Sequence, residues 1–113
     1  MALNIAVDKR KEIFLLQAEF YKSLSDPKRL MIIDELRGGE KSVGELTRCL
    51  GINQSNTSQH LGILRKAGVI NYQKRGNVLY YSLNTPKIAA ACTMVCEIIA
   101  ERLRHDKALA GVI

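Results

Sequence analysis

Residues 42–68, which are the most informative about the fold, read SVGELTRCLGINQSNTSQHLGILRKAG. It opens with Ser42-Val43-Gly44-Glu45, a capping box in which the Ser hydroxyl and the Glu carboxylate satisfy exposed amides at the start of a short helix. Gly51 ends that helix, and Asn53 can cap a second one, which we predict over residues 54–67. Two short helices joined by a tight turn are typical of a helix-turn-helix.

Two further helices are predicted before this stretch. Apolar residues recur at spacings of three and four over residues 9–24, which indicates an amphipathic first helix. The sequence Ser25-Asp26-Pro27 breaks that pattern and starts a second helix, because Asp can cap a helix and Pro suits its first position. We expect this second helix to end at Gly38-Gly39.

A β-hairpin and a last helix are predicted after the stretch. β-branched and aromatic residues over 69–83 flank a loop at 73–77, which indicates a hairpin, or wing, with a basic tip. Thr85-Pro86 opens the last helix, predicted over residues 86–104, which is apolar around most of its circumference and needs burial on two sides. We therefore predict one domain over residues 1–113, mainly α with a small β-hairpin: a winged helix-turn-helix in the order α-α-α-α-β-β-α.

The charge balance favours a polyanionic partner. Lys and Arg number 17 against 11 Asp and Glu, so the net charge is +6. Such an excess favours nucleic acid or an anionic membrane surface. No run approaches the roughly 20 apolar residues needed to cross a bilayer, and the N-terminus lacks the apolar core of a secretory signal. We therefore expect a cytoplasmic protein that does not enter a membrane.

The second helix of the helix-turn-helix carries short polar side chains in its first two turns, where a groove-reading helix contacts bases. Gln and Asn can bond adenine bidentately, and Ser can bond bases or phosphates. Basic residues follow at the end of this helix and on the wing. The predicted DNA-contacting residues are Gln54, Ser55, Asn56, Ser58, Gln59, His60, Arg65, Lys74 and Arg75. The alternative interpretation is an ordinary polar first turn and a solvated, charged hairpin.

Taken together, these segments resemble the ArsR/SmtB family of winged-helix repressors, over about residues 14–84. The most specific matching segments are LSDPKRL (24–30), SVGEL (42–46), QSNTSQHL (54–61), LRKAGV (64–69), and Arg75-Gly76 with Tyr80-Tyr81. The resemblance implies a homodimer paired through the first and last helices, 9–24 and 86–104. It also implies binding to an imperfect palindrome in double-stranded DNA and repression of a nearby operon until an inducer lowers DNA affinity. By the family pattern, Lys74 and Arg75 lie on the wing, and the groove is faced by Ser55, Ser58, Gln59 and His60.

The usual inducer sites of the family are not recognisable in this chain. Zinc-responsive members carry Asp and His ligands on the last helix, where this chain has Thr85, Lys87 and Ile98. Members that respond to arsenic or cadmium often carry a Cys-x-Cys pair at the position where this chain has Ser42-Val43-Gly44. We therefore do not expect either of these metal sites.

Cys92 and Cys96 remain as candidate sensor thiols, since residues four apart lie on one face of a helix. Their thiolates could hold a thiophilic metal or metalloid ion together with a third ligand, across the dimer axis. An oxidant or reactive sulfur could instead cross-link thiols as a disulfide or polysulfide, between subunits or through bridging sulfur. A third interpretation is that both are small core side chains. The sequence does not separate these three interpretations.

Two other functional classes compete with a DNA-binding repressor. An enzyme is not expected, because no Cys–His or Ser–His pair clusters as covalent catalysis requires and no glycine-rich phosphate loop occurs. The stronger rival is a winged-helix protein-interaction module without an inducer site. Binding to duplex DNA that weakens steeply with salt would favour the repressor over this module.

Overall fold

The computed structural model describes the backbone of residues 3–104 and the side chains of residues 8–104, so the ends of the predicted 1–113 domain lie outside it. In order, its elements are α1 (Leu3–Leu24), α2 (Pro27–Leu36), β1 (Lys41–Ser42), α3 (Val43–Leu50), α4 (Gln54–Lys66), β2 (Ile70–Arg75), β3 (Val78–Leu83) and α5 (Pro86–Arg102). Within this range, the strands form one antiparallel sheet in the order β1-β3-β2. The mainly α fold with a small hairpin, predicted from the sequence, is confirmed.

The break between α1 and α2 lies where the sequence predicts it. The Asp26 carboxylate accepts hydrogen bonds from the backbone N–H groups of Lys28 and Arg29, at 2.8 and 3.2 Å, and Pro27 occupies the first turn of α2. α1 begins at Leu3, earlier than predicted, because the residues before the amphipathic pattern contain neither Pro nor Gly and the helix continues through them.

The tip of the wing differs from the prediction. We expected a loop over residues 73–77, but β2 continues to Arg75, and the two-residue turn Gly76-Asn77 leads into β3. Gly76 has φ +62°, the left-handed conformation that such a turn requires and that glycine adopts without strain. Lys74 and Arg75 therefore lie on a strand, and as consecutive strand residues they point to opposite faces.

The short strand β1 was not predicted. Lys41 and Ser42 pair antiparallel with Tyr81 and Tyr80 of β3. Two residues carry no recognisable strand pattern, and their partners lie far along the chain, so only the folded structure brings them together. Because Ser42 also caps α3, β1 connects the start of the helix-turn-helix directly to the wing.

The core lies where α2, α3, α4 and the wing meet. Its buried side chains are mostly aliphatic: Ile32, Ile33, Leu36, Leu46, Leu50, Leu61, Leu64, Val69, Ile70, Tyr81 and Ile88. Removal of these side chains from water is the main favourable term in folding. Both helices of the helix-turn-helix bury one side in this core, so the core determines which side of α4 faces outward.

Helices α1 and α5 leave large apolar side chains uncovered in the single chain. α5 contributes Ile88 and Ala89, near its N-terminus, to the buried set. The exposed apolar side chains include Ile13, Phe14, Leu15 and Leu16 of α1 and Met94, Val95, Ile98 and Ile99 of α5. One chain thus covers only part of a helix whose sequence indicates burial on two sides. Between residues 3 and 104, no helix combines the length and the apolar composition needed to span a bilayer.

Candidate nucleic-acid interface

The capping box predicted at the start of α3 is present in full. The Ser42 hydroxyl accepts from the Glu45 backbone N–H at 3.2 Å, and the Glu45 carboxylate accepts from the Ser42 backbone N–H at 3.1 Å. The hydrogen bonds from Ser42 lower the pKa of Glu45; burial opposes this, and the positive charges of Lys41 and Arg48 assist it. The start of the helix-turn-helix is therefore held by reciprocal hydrogen bonds.

The turn between α3 and α4 depends on a glycine and a capping asparagine. Gly51 ends α3 in the left-handed conformation, φ +66°, and its N–H donates to the Thr47 carbonyl at 3.0 Å. The Asn53 side chain then accepts from the Asn56 backbone N–H at 2.7 Å and caps α4. The turn thus occurs at the residues predicted from the sequence.

A pair of hydroxyls, of which that of Thr57 is buried, joins the two helices. Thr47 donates to the Thr57 hydroxyl at 3.0 Å, and Thr57 donates in turn to the Asn53 carbonyl at 3.0 Å. Thr57 has no exposed surface, so its hydroxyl needs these partners to avoid a costly unpaired group. With Leu61 and Leu64, Thr57 forms the inward side of α4.

The opposite side of α4 presents its polar residues to solvent. Five predicted contact residues are exposed in the first two turns: Gln54, Ser55, Asn56, Ser58 and Gln59. Their amides and hydroxyls can both donate and accept hydrogen bonds, as base edges and phosphates require. The structure therefore brings this part of the predicted set together on one accessible surface, which we call the α4 polar face.

His60 is separated from the α4 polar face. Its side chain is only 20% exposed, and its Nδ1 atom lies 3.3 Å from Arg29 Nη1 and 3.9 Å from Asp26 Oδ1. The family resemblance implies that His60 faces the groove with its neighbours, whereas in the structure its side chain lies toward the α1–α2 junction. The sequence could not show this, because Arg29 precedes His60 by 31 positions.

Two arginines near the wing lie over aromatic rings of its strands. The Arg65 guanidinium lies 4.3 Å from the centroid of the Tyr72 ring, and that of Arg75 lies 4.1 Å from the Tyr80 centroid. Such cation–π contacts orient an arginine while leaving its donors available. Lys74, the third basic residue of the predicted set in this region, is exposed on β2.

Arg75 also forms an ion pair with Glu40, a residue that the sequence interpretation did not include. The two side chains hydrogen-bond, with both carboxylate and guanidinium still about half exposed to solvent. This hydrogen bond raises the pKa of Arg75, with burial opposing and the Glu40 charge assisting. A phosphate that bound Arg75 would have to share it with Glu40 or displace the carboxylate.

Cys92 and Cys96 lie on α5 in different environments. Cys92 is half-buried against the core, whereas Cys96 is exposed. Burial raises the pKa of the Cys92 thiol; Arg37 opposes this effect, and Cys96 and Asp34 add to it. In the part of the chain that the structure describes, no group of three His, Cys, Asp or Glu side chains is arranged to hold a metal ion. Neither cysteine is a fully buried core residue.

Comparison with known proteins identifies the family. The family model described as "Bacterial regulatory protein, arsR family" matches residues 26–72. The HTH-type transcriptional regulator Rv0081 of Mycobacterium tuberculosis is 39% identical over 92 residues, which cover 80% of this chain and 81% of Rv0081. The transcriptional repressor SdpR of Bacillus subtilis is 42% identical over 65 residues, covering 58% of this chain and 72% of SdpR.

Solved structures agree with this assignment. The crystal structure of Rv0081 superposes with a TM-score of 0.76 at 38% identity, over 82% of this chain and 94% of that one. The homodimeric winged helix-turn-helix DNA-binding domain of Mycobacterium bovis Mb0332 superposes with a TM-score of 0.79 at 26% identity, over 88% and 93%. These relatives are regulators of transcription, which confirms the prediction of a regulator rather than an enzyme. The chain belongs to the arsR family of bacterial regulatory proteins.

Proposed function

We propose that this protein is a homodimeric repressor that binds an imperfect palindrome in double-stranded DNA through the α4 polar face of each subunit. One observation carries the proposal: the exposed amides and hydroxyls of α4 lie opposite its buried stripe of Thr57, Leu61 and Leu64. A helix so oriented can enter the major groove, where each base pair presents a distinct pattern of donors and acceptors.

The two classes of side chain have different tasks in this proposal. Gln59 and its polar neighbours on α4 read base edges, because amides can bond adenine bidentately. Arg65, Lys74 and Arg75 bind phosphates, which strengthens binding to every sequence alike. The net charge of +6 supports such a role.

The dimer follows from the uncovered apolar faces of α1 and α5. Side chains such as Leu16, 70% exposed, and Met94, 63% exposed, are costly to leave in water and together suit an interface between two copies. A twofold dimer presents its two recognition helices to grooves one helical turn apart, roughly 34 Å, which demands a twofold site. The homodimeric state of Mb0332 and the repressor activity named for SdpR support the same interpretation.

Two substitutions test the division of tasks. Gln59→Ala is expected to reduce the ratio of cognate to non-cognate affinity, with the salt dependence of binding unchanged. Arg75→Ala is expected to weaken binding to both kinds of DNA equally and to make the salt slope shallower by about one. Arg102→Ala, which removes an exposed charge from the last turn of α5, is the control. Identical behaviour of the Gln59 and Arg75 variants would contradict this division.

The same titrations distinguish the rival class. A winged-helix protein-interaction module would bind duplex DNA weakly even at low salt and would not prefer a palindrome. Absence of any salt-dependent duplex binding by the wild-type dimer would therefore favour the interaction module over the repressor.

We further propose that a thiol-reactive inducer acts at Cys92 and Cys96. Support comes from their position on α5, among the uncovered apolar residues assigned above to the dimer interface, where modification would alter subunit packing. A metalloid ion bound there would need a third ligand from the partner subunit or solvent. An oxidant would instead accept two electrons as two thiols lose their protons and form one S–S bond.

A Cys92→Ser/Cys96→Ser variant tests both forms of this proposal. DNA binding of wild type and variant is measured with arsenite, zinc, an oxidant and a polysulfide. Wild-type protein should be released from DNA by at least one of these reagents, and the variant should not respond to it. An equal response of the two proteins to every reagent would exclude these thiols as the sensor.

A further inference from the structure

We propose that His60 is a positioning residue, which links the recognition helix α4 through Arg29 to the end of α1, instead of contacting DNA. This inference rests on the proposed function, since α4 is taken as the reading helix and α1 as part of the dimer interface. It concerns how the orientation of α4 depends on the interface.

Arg29 is the centre of this link. Its Nε atom donates to the Ser23 carbonyl at 2.6 Å, and its Nη2 atom donates to the Lys22 carbonyl at 3.4 Å. These carbonyls belong to the last turn of α1, where helical carbonyls lack partners within the helix and attract positive charge. The guanidinium thus caps the C-terminus of α1.

The remaining donor group of Arg29 reaches α4. Its Nη1 atom lies 3.3 Å from His60 Nδ1, and because a guanidinium can only donate, Nδ1 must accept in this contact. The ring then carries its hydrogen on Nε2. One planar side chain of α2 therefore holds the end of α1 and the middle of α4 in a defined relative position.

The surroundings of this contact are ordered by further hydrogen bonds. Asp26, 3.9 Å from His60 Nδ1, accepts from two backbone N–H groups at the start of α2. Although burial opposes the effect, those hydrogen bonds and the charge of Arg29 lower the pKa of Asp26. Ser23 is buried, and its hydroxyl donates to the Phe20 carbonyl at 2.6 Å.

Position in the sequence makes the link relevant to DNA reading. His60 follows Gln59 directly, so a shift or rotation of α4 at His60 moves the side chain that we assign to base reading. Thr57 and Leu61 hold the same helix against α3 and the core. The Arg29–His60 contact adds the connection to α1, and hence to the proposed subunit interface.

Two substitutions at His60 distinguish positioning from direct contact. In His60→Asn, the amide oxygen can take the place of Nδ1 as acceptor, but nothing replaces Nε2. If His60 positions α4, this variant should retain the wild-type affinity for cognate DNA. His60→Ala should lose about tenfold in cognate affinity, comparable to one mismatched base pair, with non-specific affinity and salt slope unchanged.

Arg29→Lys supplies a second test, because an ammonium group cannot hold three acceptors in the geometry of the guanidinium. It should reproduce the loss seen in His60→Ala, and the double variant should lose no more than either single one. By contrast, Gln59→Ala should add its own loss to that of His60→Ala. Thermal unfolding of each variant shows whether the change is confined to binding.

Three results would overturn the proposal: equal losses in His60→Asn and His60→Ala, additive losses in the Arg29 and His60 pair, or a parallel loss of non-specific binding. The contact itself is measured without DNA, by nitrogen NMR of the His60 ring, which should show the hydrogen on Nε2 in wild type. Failure of the wild-type dimer to bind any duplex would overturn the proposed function instead, and the NMR result would still test the Arg29 contact.

Discussion

Arg75 illustrates how a single residue is shared between fold and function. Its guanidinium lies over the Tyr80 ring and pairs with Glu40, which precedes it by 35 positions. Both partners orient the side chain near the turn of the wing, yet Glu40 also competes with any phosphate. In the free protein, this carboxylate therefore restrains a residue that we assign to the DNA backbone.

Removing the competing charge should strengthen DNA binding. Glu40→Gln is expected to raise affinity for cognate and non-cognate duplex alike by about two- to fivefold at low salt, the range of an exposed ion pair. The measurement is a salt titration of binding. Glu35→Gln, which removes the same charge beside Lys41, is the control. An equal gain in the control would show that net charge, and not release of Arg75, is responsible.

Glu45 should make stability sensitive to acid. Its hydrogen bonds with Ser42 lower its pKa below the usual 4.5 in the folded state, so the carboxylate favours folding above pH 4.5. This contribution is lost as the pH falls from 4.5 through the lower folded value. Glu45→Gln keeps an acceptor for the Ser42 N–H but does not titrate.

Urea unfolding between pH 6 and 3 tests this expectation. The free energy of unfolding should fall less steeply with pH in Glu45→Gln than in wild type. Glu97→Gln, a substitution at an exposed position of α5, is the control. Its free energy of unfolding should fall with pH as steeply as that of the wild type. The explanation is wrong if Glu45→Gln and wild type lose stability in parallel.

Among the secondary-structure elements, the turn between α3 and α4 controls the start of α4, the proposed reading helix. Asn53 supplies one acceptor to the first turn of α4, the same turn that carries Gln54, Ser55 and Asn56. Without that acceptor, the helix start would fray where the polar face begins. In the proposed repressor, capping and DNA reading are therefore coupled in one turn of helix.

Asn53→Ala should therefore affect both stability and binding. The free energy of unfolding should fall by about 1 kcal/mol, the usual cost of losing an N-cap, and cognate affinity should fall with it. Asn53→Ser restores an acceptor and should recover most of both. Chemical denaturation and DNA titration of the two variants give the comparison. If Asn53→Ala were destabilised but bound cognate DNA with wild-type affinity, the N-cap would not be needed for DNA reading.

For the whole molecule, a single chain leaves the apolar faces of α1 and α5 exposed. Their side chains lie outside the core, so they add little to the stability of one chain. We assign them to the subunit interface, which determines the distance between the two α4 helices. Sequence reading and assembly are therefore parts of one mechanism in the proposed repressor.

A charge placed on this face should separate the subunits. Ile98 is 55% exposed, so Ile98→Glu should leave the fold of the chain intact and abolish the dimer at micromolar concentration. Affinity for the palindrome should drop at least tenfold, and the salt slope should be about halved as half the phosphate contacts are lost. Sedimentation and circular dichroism measure assembly and fold.

The control for this experiment is Gln73→Glu, which adds the same charge to an exposed position on β2. It should leave the oligomeric state unchanged. A dimeric Ile98→Glu protein would show that the interface lies elsewhere.

The sequence alone determined the helices and where most of them end. Caps and breakers such as Asp26-Pro27, Ser42 with Glu45, Gly51 and Asn53 act within a few residues of the backbone groups they satisfy. The inward stripe of α4 follows equally from local periodicity. For the same reason, the amino-acid pattern was enough to predict that five polar residues of α4 face outward: Gln54, Ser55, Asn56, Ser58 and Gln59.

Contacts between distant segments depend on the folded structure and could not be predicted from the sequence. The pairing of β1 with β3, the Glu40 ion pair and the inward position of His60 each join residues far apart in the chain. Local sequence patterns do not predict these contacts, because the residues meet only after the core has brought their elements together. The two kinds of interaction differ in the distance along the chain over which they act. Capping and periodicity act over one or two helical turns. Pairing between distant strands, ion pairing and the surroundings of a side chain depend instead on how the elements pack.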